Sequence, residues 1–149
     1  MTTRIHVSAV IEAPIADVWA RIRDFNAMPQ WHPVFVKSDI EDGLRSDTVG
    51  CVRSFYAKDG GHLREKLLSL SDLDHSCVYT ILDSPMPIQN YVAGFRLYPI
   101  TETNQTFHEW WATFEVGAQD EAGIVDRVQN GTFRRAFQAL NEHFRARKK

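Results

Sequence analysis

Long hydrophobic runs are missing from this sequence of 149 residues. No apolar stretch approaches the roughly 20 residues that a membrane-spanning helix needs, and no apolar signal core follows the first residues. Cysteine is scarce, because Cys51 and Cys77 are the only two and their spacing matches no zinc or redox motif. We therefore expect a cytoplasmic protein without stable membrane insertion, in which both thiols are small core residues.

An excess of charge of either sign is also missing. Lysine and arginine number 17 against 19 aspartates and glutamates, which gives a formal net charge of -2. Such a chain has no general attraction for polyanions, so we expect no nucleic-acid partner. The six histidines include no His-x-x-x-His pair, and the chain has neither a glycine-rich phosphate loop nor a Gly-x-Ser-x-Gly elbow. The sequence therefore predicts no metal site and no cofactor, and it disfavours covalent hydrolysis.

The residues that are present predict one compact domain over 1–149. Hydrophobic residues make up 44% of the chain, which is enough for a sizeable core. Arg4 to Glu12 alternates between apolar and polar side chains, as a half-buried strand does. Ala13-Pro14 ends this strand, and apolar residues at helical spacing then predict a short helix to about Asp24. Asn26 to Pro33 follows as a packed loop or a one-turn helix.

Turn signals recur from Val34 to Glu115, and six strands fit between them. The short connections can join only antiparallel neighbours, so these strands form a meander. From Glu121 to Arg145 there is no proline, and apolar residues recur at helical spacing. The order predicts an α+β fold in which a seven-stranded antiparallel sheet curls around one long C-terminal helix, with one or two short helices after strand one. We expect a groove or cavity between the sheet and the helix.

Several short segments, in this order and spacing, resemble a known superfamily. They are Ile11-Glu12-Ala13-Pro14, Asp17-Val18-Trp19, Asp24-Phe25, Trp31-His32-Pro33, Gly50-Cys51-Val52-Arg53, Leu63-Arg64-Glu65-Lys66-Leu67, Tyr79, Asn90-Tyr91 and the segment from Thr106 to Phe114 around Trp110. Over nearly the whole chain the sequence is similar to the START-like or birch-pollen-allergen-like superfamily, also called SRPBCC, and within it to the polyketide cyclase/dehydrase and lipid-transport group. The resemblance implies a helix-grip fold with an internal pocket for an apolar or aromatic small molecule. It indicates the fold better than the chemistry.

Arg53 and Glu65 flank a predicted hairpin turn at Asp59-Gly60. In an antiparallel hairpin, the numbers of any two opposite residues add up to the same value. If that value is even, Arg53, Phe55 and Glu65 share one face with two leucines. The apolar residues on this face predict that it points inward. A buried Arg and Glu must pair, because an unpaired buried charge is costly, and the pair would anchor a ligand carbonyl or carboxylate. The alternative is an exposed cross-strand ion pair of little consequence.

Histidines and aromatic residues are further candidates for the pocket. The resemblance places Trp31 and His32 at the pocket mouth, where His32 could act as an acid or base, and it turns the Trp110 face of the last strand inward. The predicted pocket residues are Trp31, His32, Arg53, Phe55, Glu65, Tyr79, Tyr91, His108, Trp110, Phe133 and Phe137. For His32 and for each aromatic residue, packing without ligand contact is the alternative.

Two functions fit these residues. The first is binding of a small hydrophobic or aromatic molecule, for transport, sequestration or sensing, with Arg53 and Glu65 holding its polar end. The second is a cyclase, aromatase or dehydratase that acts on a carbonyl compound, with Glu65 or His32 moving protons. We prefer binding, because the sequence shows no nucleophile with its base. Contact with another protein through an exposed Trp111 is a third interpretation, and we expect a monomer or a weak homodimer.

Overall fold

An antiparallel sheet forms the main layer of the protein, which a computed structural model describes over residues 2–148. Within those residues, seven strands pair in the order β1-β7-β6-β5-β4-β3-β2. The strands are β1 (Thr2–Ile11), β2 (Phe35–Ile40), β3 (Val52–Ala57), β4 (His62–Ser71), β5 (Ser76–Asp83), β6 (Ile88–Ile100) and β7 (Gln105–Val116). Strands β2 to β7 follow one another as antiparallel neighbours, and β1 pairs antiparallel with β7. The predicted seven-stranded antiparallel sheet is therefore confirmed.

Short helices occupy the chain between β1 and β2. Helix α1 (Ile15–Ile22) begins directly after Pro14, whose restricted φ suits the start of a helix. Helix α2 (Met28–Trp31) is a single turn that carries Pro29 in its first positions. A 3₁₀ turn (Glu41–Gly43) then follows β2. The region predicted as a packed loop or a one-turn helix thus contains the one-turn helix.

One long helix follows β7 and packs on the sheet. It consists of α3 (Glu121–Val128), a π-helical segment (Gln129–Arg134) and α4 (Arg135–Arg147). Its extent agrees with the prediction, but the sequence did not predict the π-helical segment. Thr132 Oγ1 donates to the carbonyl of Arg127 at 3.4 Å across this wider turn. Such segments are frequent at functional sites in helices.

The main core lies between one face of the sheet and the C-terminal helix. Its innermost side chains, which are 2% exposed or less, include Ile11, Val18, Leu67, Trp110, Phe114, Phe133 and Leu140. A second, smaller apolar cluster joins α2 to the β2–β3 hairpin and consists of Met28, Phe35, Phe55 and Ala57. No helix within residues 2–148 combines the length and the apolar character that crossing a membrane requires.

Candidate functional site

Strands β3 and β4 place Arg53 directly opposite Glu65, in the register that the sequence predicts. Arg53 Nε and Nη2 both donate to Glu65 Oε1, at 2.9 and 2.6 Å, and Arg53 Nη1 donates to the carbonyl of Phe25 at 3.1 Å. Only 6% of Arg53 and 5% of Glu65 is exposed. The pair is therefore internal, and it is not an exposed cross-strand pair.

Aromatic rings surround the Arg53 guanidinium. Its Cζ lies 3.9 Å from the ring centroid of Phe25, 5.1 Å from that of Tyr79 and 5.2 Å from that of Phe55. Contacts between a cation and ring faces offset part of the cost of removing the charge from water. The rigid guanidinium lets Arg53 bond one carboxylate oxygen through two nitrogens and the Phe25 carbonyl through the third, a geometry that lysine would not reproduce.

Tyr79 extends this buried polar group. Burial raises the pKa of the Glu65 carboxyl, and the Arg53 charge opposes that rise. Burial, and secondly the nearby Glu65 charge, raise the pKa of Tyr79 well above its ordinary value, so its hydroxyl stays protonated at neutral pH. Trp110 Nε1 donates to that hydroxyl oxygen at 3.0 Å. Arg53, Glu65 and Tyr79 thus form one polar cluster inside the fold.

Stacked aromatic rings fill the space between the sheet and the helix. The Trp110 ring stacks on Phe133 with 4.9 Å between centroids, and it lies 4.9 Å from Phe95 and 6.4 Å from Phe137. Tyr91 stacks on Phe114 at 5.7 Å. These predicted pocket residues therefore pack against one another. The resemblance implies an internal pocket, but these rings form a packed aromatic interior.

His108 lies within this interior and is fully buried. Its ring is 4.7 Å from Phe137 and 5.5 Å from Trp110 between centroids, and neither ring nitrogen has a hydrogen-bond partner among the described residues. Burial lowers the pKa of His108 to about 3. The imidazole is therefore neutral at physiological pH and acts as a flat packing group.

His32 joins two elements. Its Nε2 donates to the carbonyl of Thr132 in the π-helical segment at 2.9 Å, and its Nδ1 accepts from the amide of Val34 at 3.2 Å. Burial is the main cause that lowers the pKa of His32 to about 4. With both nitrogens engaged and the ring 1% exposed, His32 connects the α2 loop to the C-terminal helix. This arrangement does not make it an acid or base near neutral pH.

An apolar cavity of about 450 Å³ opens beside His32, between the β3–β4 hairpin, the β5–β6 loop and the C-terminal helix. Its lining residues are Pro33, Val34, Phe35, Ala57, Lys58, Asp59, Leu63, Ser84, Pro85, Met86, Arg127, Gly131, Thr132 and Arg135. The helix contributes its π-helical segment, where Gly131 leaves open space beside its Cα. Arg127 Nη2 donates to Asp59 Oδ2 at 3.2 Å and so joins the helix to the hairpin tip.

None of the eleven predicted pocket residues lines this cavity, and all eleven lie in the described chain. Trp31 and His32 line a neighbouring, more open depression, and Phe137 lines another at the β1 side of the helix. The other predicted residues lie deeper, in the packed interior. Phe55 connects the two regions, because its ring is 5.1 Å from the lining residue Phe35 and 5.2 Å from Arg53 Cζ.

Sequence reasoning missed most of the cavity wall. Leu63 was placed on the inward face, but Met86 lies in a segment that the prolines marked only as a turn, and Thr132 and Arg135 lie in an apparently regular helix. The one available signal was Gly131 in mid-helix, since a conformationally costly glycine there often has a packing or functional reason.

The two thiols and the possible metal ligands can be assessed for residues 2–148. Both cysteines are buried, and burial raises the pKa of Cys77 to about 12 and also raises that of Cys51. Thiols of this kind are inert. Among residues 2–148, no three His, Cys, Asp or Glu side chains lie together in a way that could hold a metal ion.

Comparison with known proteins gives a match over almost the entire chain. A family model described as polyketide cyclase / dehydrase and lipid transport matches residues 2–147. No curated protein matches the sequence.

Solved structures share the fold. The protein XoxI from Bacillus cereus is 27% identical, with a TM-score of 0.85 and coverage of 99% of each chain. A protein from Thermobifida fusca is 29% identical, with a TM-score of 0.83 and coverage of 96% of this chain and 92% of that one. Norcoclaurine synthase from Thalictrum, solved as a point mutant with a transition-state analogue, is 14% identical, with a TM-score of 0.75 and coverage of 100% and 98%. At that identity the last likeness concerns the fold alone.

Proposed function

The chain belongs to the polyketide cyclase/dehydrase and lipid transport family, and on that premise we propose that it binds one small hydrophobic or aromatic molecule, as a carrier, sequestering protein or sensor. The observation that carries this proposal is the apolar cavity between the β3–β4 hairpin, the β5–β6 loop and the π-helical segment. Its volume of about 450 Å³ lies within the range of about 300 to 1,000 Å³ of small-molecule sites.

The composition of the wall supports an apolar ligand. Phe35, Leu63 and Met86 come from three different elements and supply ring, branched and flexible apolar surfaces. Methionine adapts to ligands of different shape. The polar side chains of the wall lie at the hairpin tip, on the helix and in the β5–β6 loop, and they alternate with these apolar residues.

The Arg53–Glu65 pair supports this wall from behind. Phe55 lies between the pair and Phe35, so a ligand in the cavity would not touch either charge in this conformation. We therefore assign the pair the role of holding β3 and β4 in register under the cavity. Direct contact with the polar end of a ligand would require the Phe55 ring to move.

A neutral fluorescent probe, N-phenyl-1-naphthylamine, tests the proposal. We expect saturable binding of one probe per chain, with the enhanced and blue-shifted emission of an apolar site. Gly131→Phe should abolish saturable binding, because Gly131 lines the cavity and the new ring would take the space of the probe. The variant should still fold, since a Cβ at position 131 would meet no atom within 4 Å. Gly123→Phe is the matched control, since its Cβ also meets nothing but Gly123 does not line the cavity. Equal binding by both variants, or no saturation in the unmodified chain, would refute binding at this site.

An acid/base enzyme acting on a carbonyl compound is the second candidate, and the polar cluster favours it. Glu65 has a raised pKa, and the neutral hydroxyl of Tyr79 lies in the same cluster. The closed interior is the argument against it, because the cavity does not reach Glu65. A cyclised or dehydrated product after incubation with aromatic carbonyl compounds, lost in Glu65→Gln, would favour the enzyme, whereas recovery of unchanged compound favours the binder.

A further inference from the structure

The charges around the cavity differ in sign from the charge of the chain. The chain as a whole carries -2. The cavity wall contains three cations, Lys58, Arg127 and Arg135, and a single acid, Asp59. The other lining residues are uncharged and mostly apolar, so the wall has an excess of positive charge.

Two of the three cations are poorly compensated. Asp59 is already engaged by Arg127 at 3.2 Å. The acid partner of Arg135 is Glu142, at 3.8 Å and mostly exposed to solvent. Among residues 2–148, no carboxylate lies within 4.0 Å of the Lys58 ammonium group. This contrasts with Arg53 and Arg64, whose guanidinium groups approach carboxylates at 2.6 to 2.7 Å.

Lys58 and Arg135 belong to the same side of the cavity. Together with Pro33 and Phe35, both also line the neighbouring depression that contains Trp31 and His32, so they stand where the two concavities adjoin. Arg127 is eight residues before Arg135 and is joined to Asp59 at the hairpin tip. Lys58 and Arg135 are therefore the two cations shared by both concavities, while Leu63, Pro85 and Met86 supply apolar wall.

We propose that the ligand is an amphiphilic monocarboxylate whose carboxylate is bound by Arg135 and Lys58 and whose aliphatic or aromatic body lies against Phe35, Leu63 and Met86. This inference rests on the proposed function and narrows its ligand class. Arginine binds a carboxylate through two parallel hydrogen bonds, and lysine adds a second positive charge. His32 supports the site, because its Nε2 donates to the carbonyl of Thr132, three residues before Arg135.

A matched pair of ligands tests the inference by isothermal titration calorimetry at pH 7.5. The probes are 4-phenylbutanoate and 4-phenylbutan-1-ol, which share the body and differ in the head group. We expect the carboxylate to bind about 100-fold tighter, as for two charge-assisted contacts of about 10-fold each. Its affinity should fall about 10-fold in Arg135→Met and in Lys58→Met, while the affinity of the alcohol stays the same. Both side chains reach solvent, so neither variant removes a core group.

Arg134→Met is the control on the same helix, because Arg134 is exposed and does not line this cavity. It should change neither affinity. Added salt should weaken binding of the carboxylate and not of the alcohol. Equal affinities of the two ligands, or a carboxylate preference that survives both methionine variants, would overturn the inference and leave the proposed function standing. Failure of both ligands and of the neutral fluorescent probe would overturn the two together.

Discussion

At the scale of single residues, side-chain partners decide what each candidate group can do. Arg53 and Glu65 each have the other as a charged partner, and Arg53 also donates to the carbonyl of Phe25. Replacing one member of such a pair leaves a charge in a site that water does not reach.

Glu65→Ala is therefore expected to lower the free energy of unfolding by about 3 to 5 kcal/mol, because it leaves the Arg53 guanidinium buried without a counter-charge. The double variant Arg53→Met/Glu65→Leu should recover much of this loss, since it removes both charges and keeps apolar volume. Urea unfolding of the three chains gives the measurement.

Asp47→Ala is the exposed control for this comparison. Its partner Arg45 lies 2.8 Å away, with 83% of the arginine side chain exposed. Exposed pairs contribute about 0 to 1 kcal/mol, so the control should change stability little. A Glu65→Ala variant no less stable than Asp47→Ala would mean that the pair is not buried in solution.

At the scale of elements, the close approach of β5, β6 and β7 depends on Gly94. In the strand register Gly94 lies opposite Trp111, and the Trp111 ring crosses the space that a side chain at position 94 would occupy. A Cβ there would lie 2.8 Å from the carbonyl oxygen of Cys77 and 2.9 Å from Trp111 Cζ2. Trp111 is accordingly half-buried on the outer face, where the sequence predicted partial exposure.

Gly94→Ala should destabilise the protein by about 1 to 3 kcal/mol, because neither the backbone of β5 nor the Trp111 ring can move away without loss of packing. Gly123→Ala should have the opposite sign and stabilise by about 0.5 to 1 kcal/mol, since Gly123 is helical and its Cβ would meet nothing within 4 Å. Thermal unfolding distinguishes the two signs. A stable Gly94→Ala variant would show that β6 and Trp111 separate easily.

At the scale of the whole molecule, two buried histidines couple stability to pH. The pKa of His32 is about 4 and that of His108 about 3, against 6.5 for an exposed imidazole. The unfolded chain therefore binds these protons at a higher pH than the folded chain does. The free energy of unfolding must fall as the pH drops from about 6.5 towards 4 for His32, and towards 3 for His108.

We expect the protein to be less stable at pH 4.5 than at pH 7.5, with His32 alone contributing about 2.5 kcal/mol to the difference. In His32→Gln the amide can still donate to the carbonyl of Thr132 but does not titrate, so the difference should shrink by about that amount. His62→Gln, which replaces an exposed histidine, is the control. Urea unfolding at the two pH values is the measurement, and equal pH dependence of the two variants would contradict the prediction.

The sequence by itself determined the order of elements, the antiparallel sheet and the pairing of Arg53 with Glu65. These follow from local signals: alternation in β1, turn residues between the later strands, and the regular pairing of residue numbers across an antiparallel hairpin. Alternation also placed His108 and Trp110 on one face of β7, whereas the family resemblance indicated that this face points inward.

Only the tertiary structure decided which inward residues face a ligand and which fill the core. Periodicity shows which residues share a face of a strand or helix, but it does not give the distance between the sheet and the helix that packs on it. Trp110 and Phe133 stack at 4.9 Å and close the interior. The cavity forms instead where the π-helical segment passes the β3–β4 hairpin, a meeting of segments more than 60 residues apart in the chain. The width of the gap between these segments depends on how all the layers of the protein pack, and no local pattern of residues encodes it.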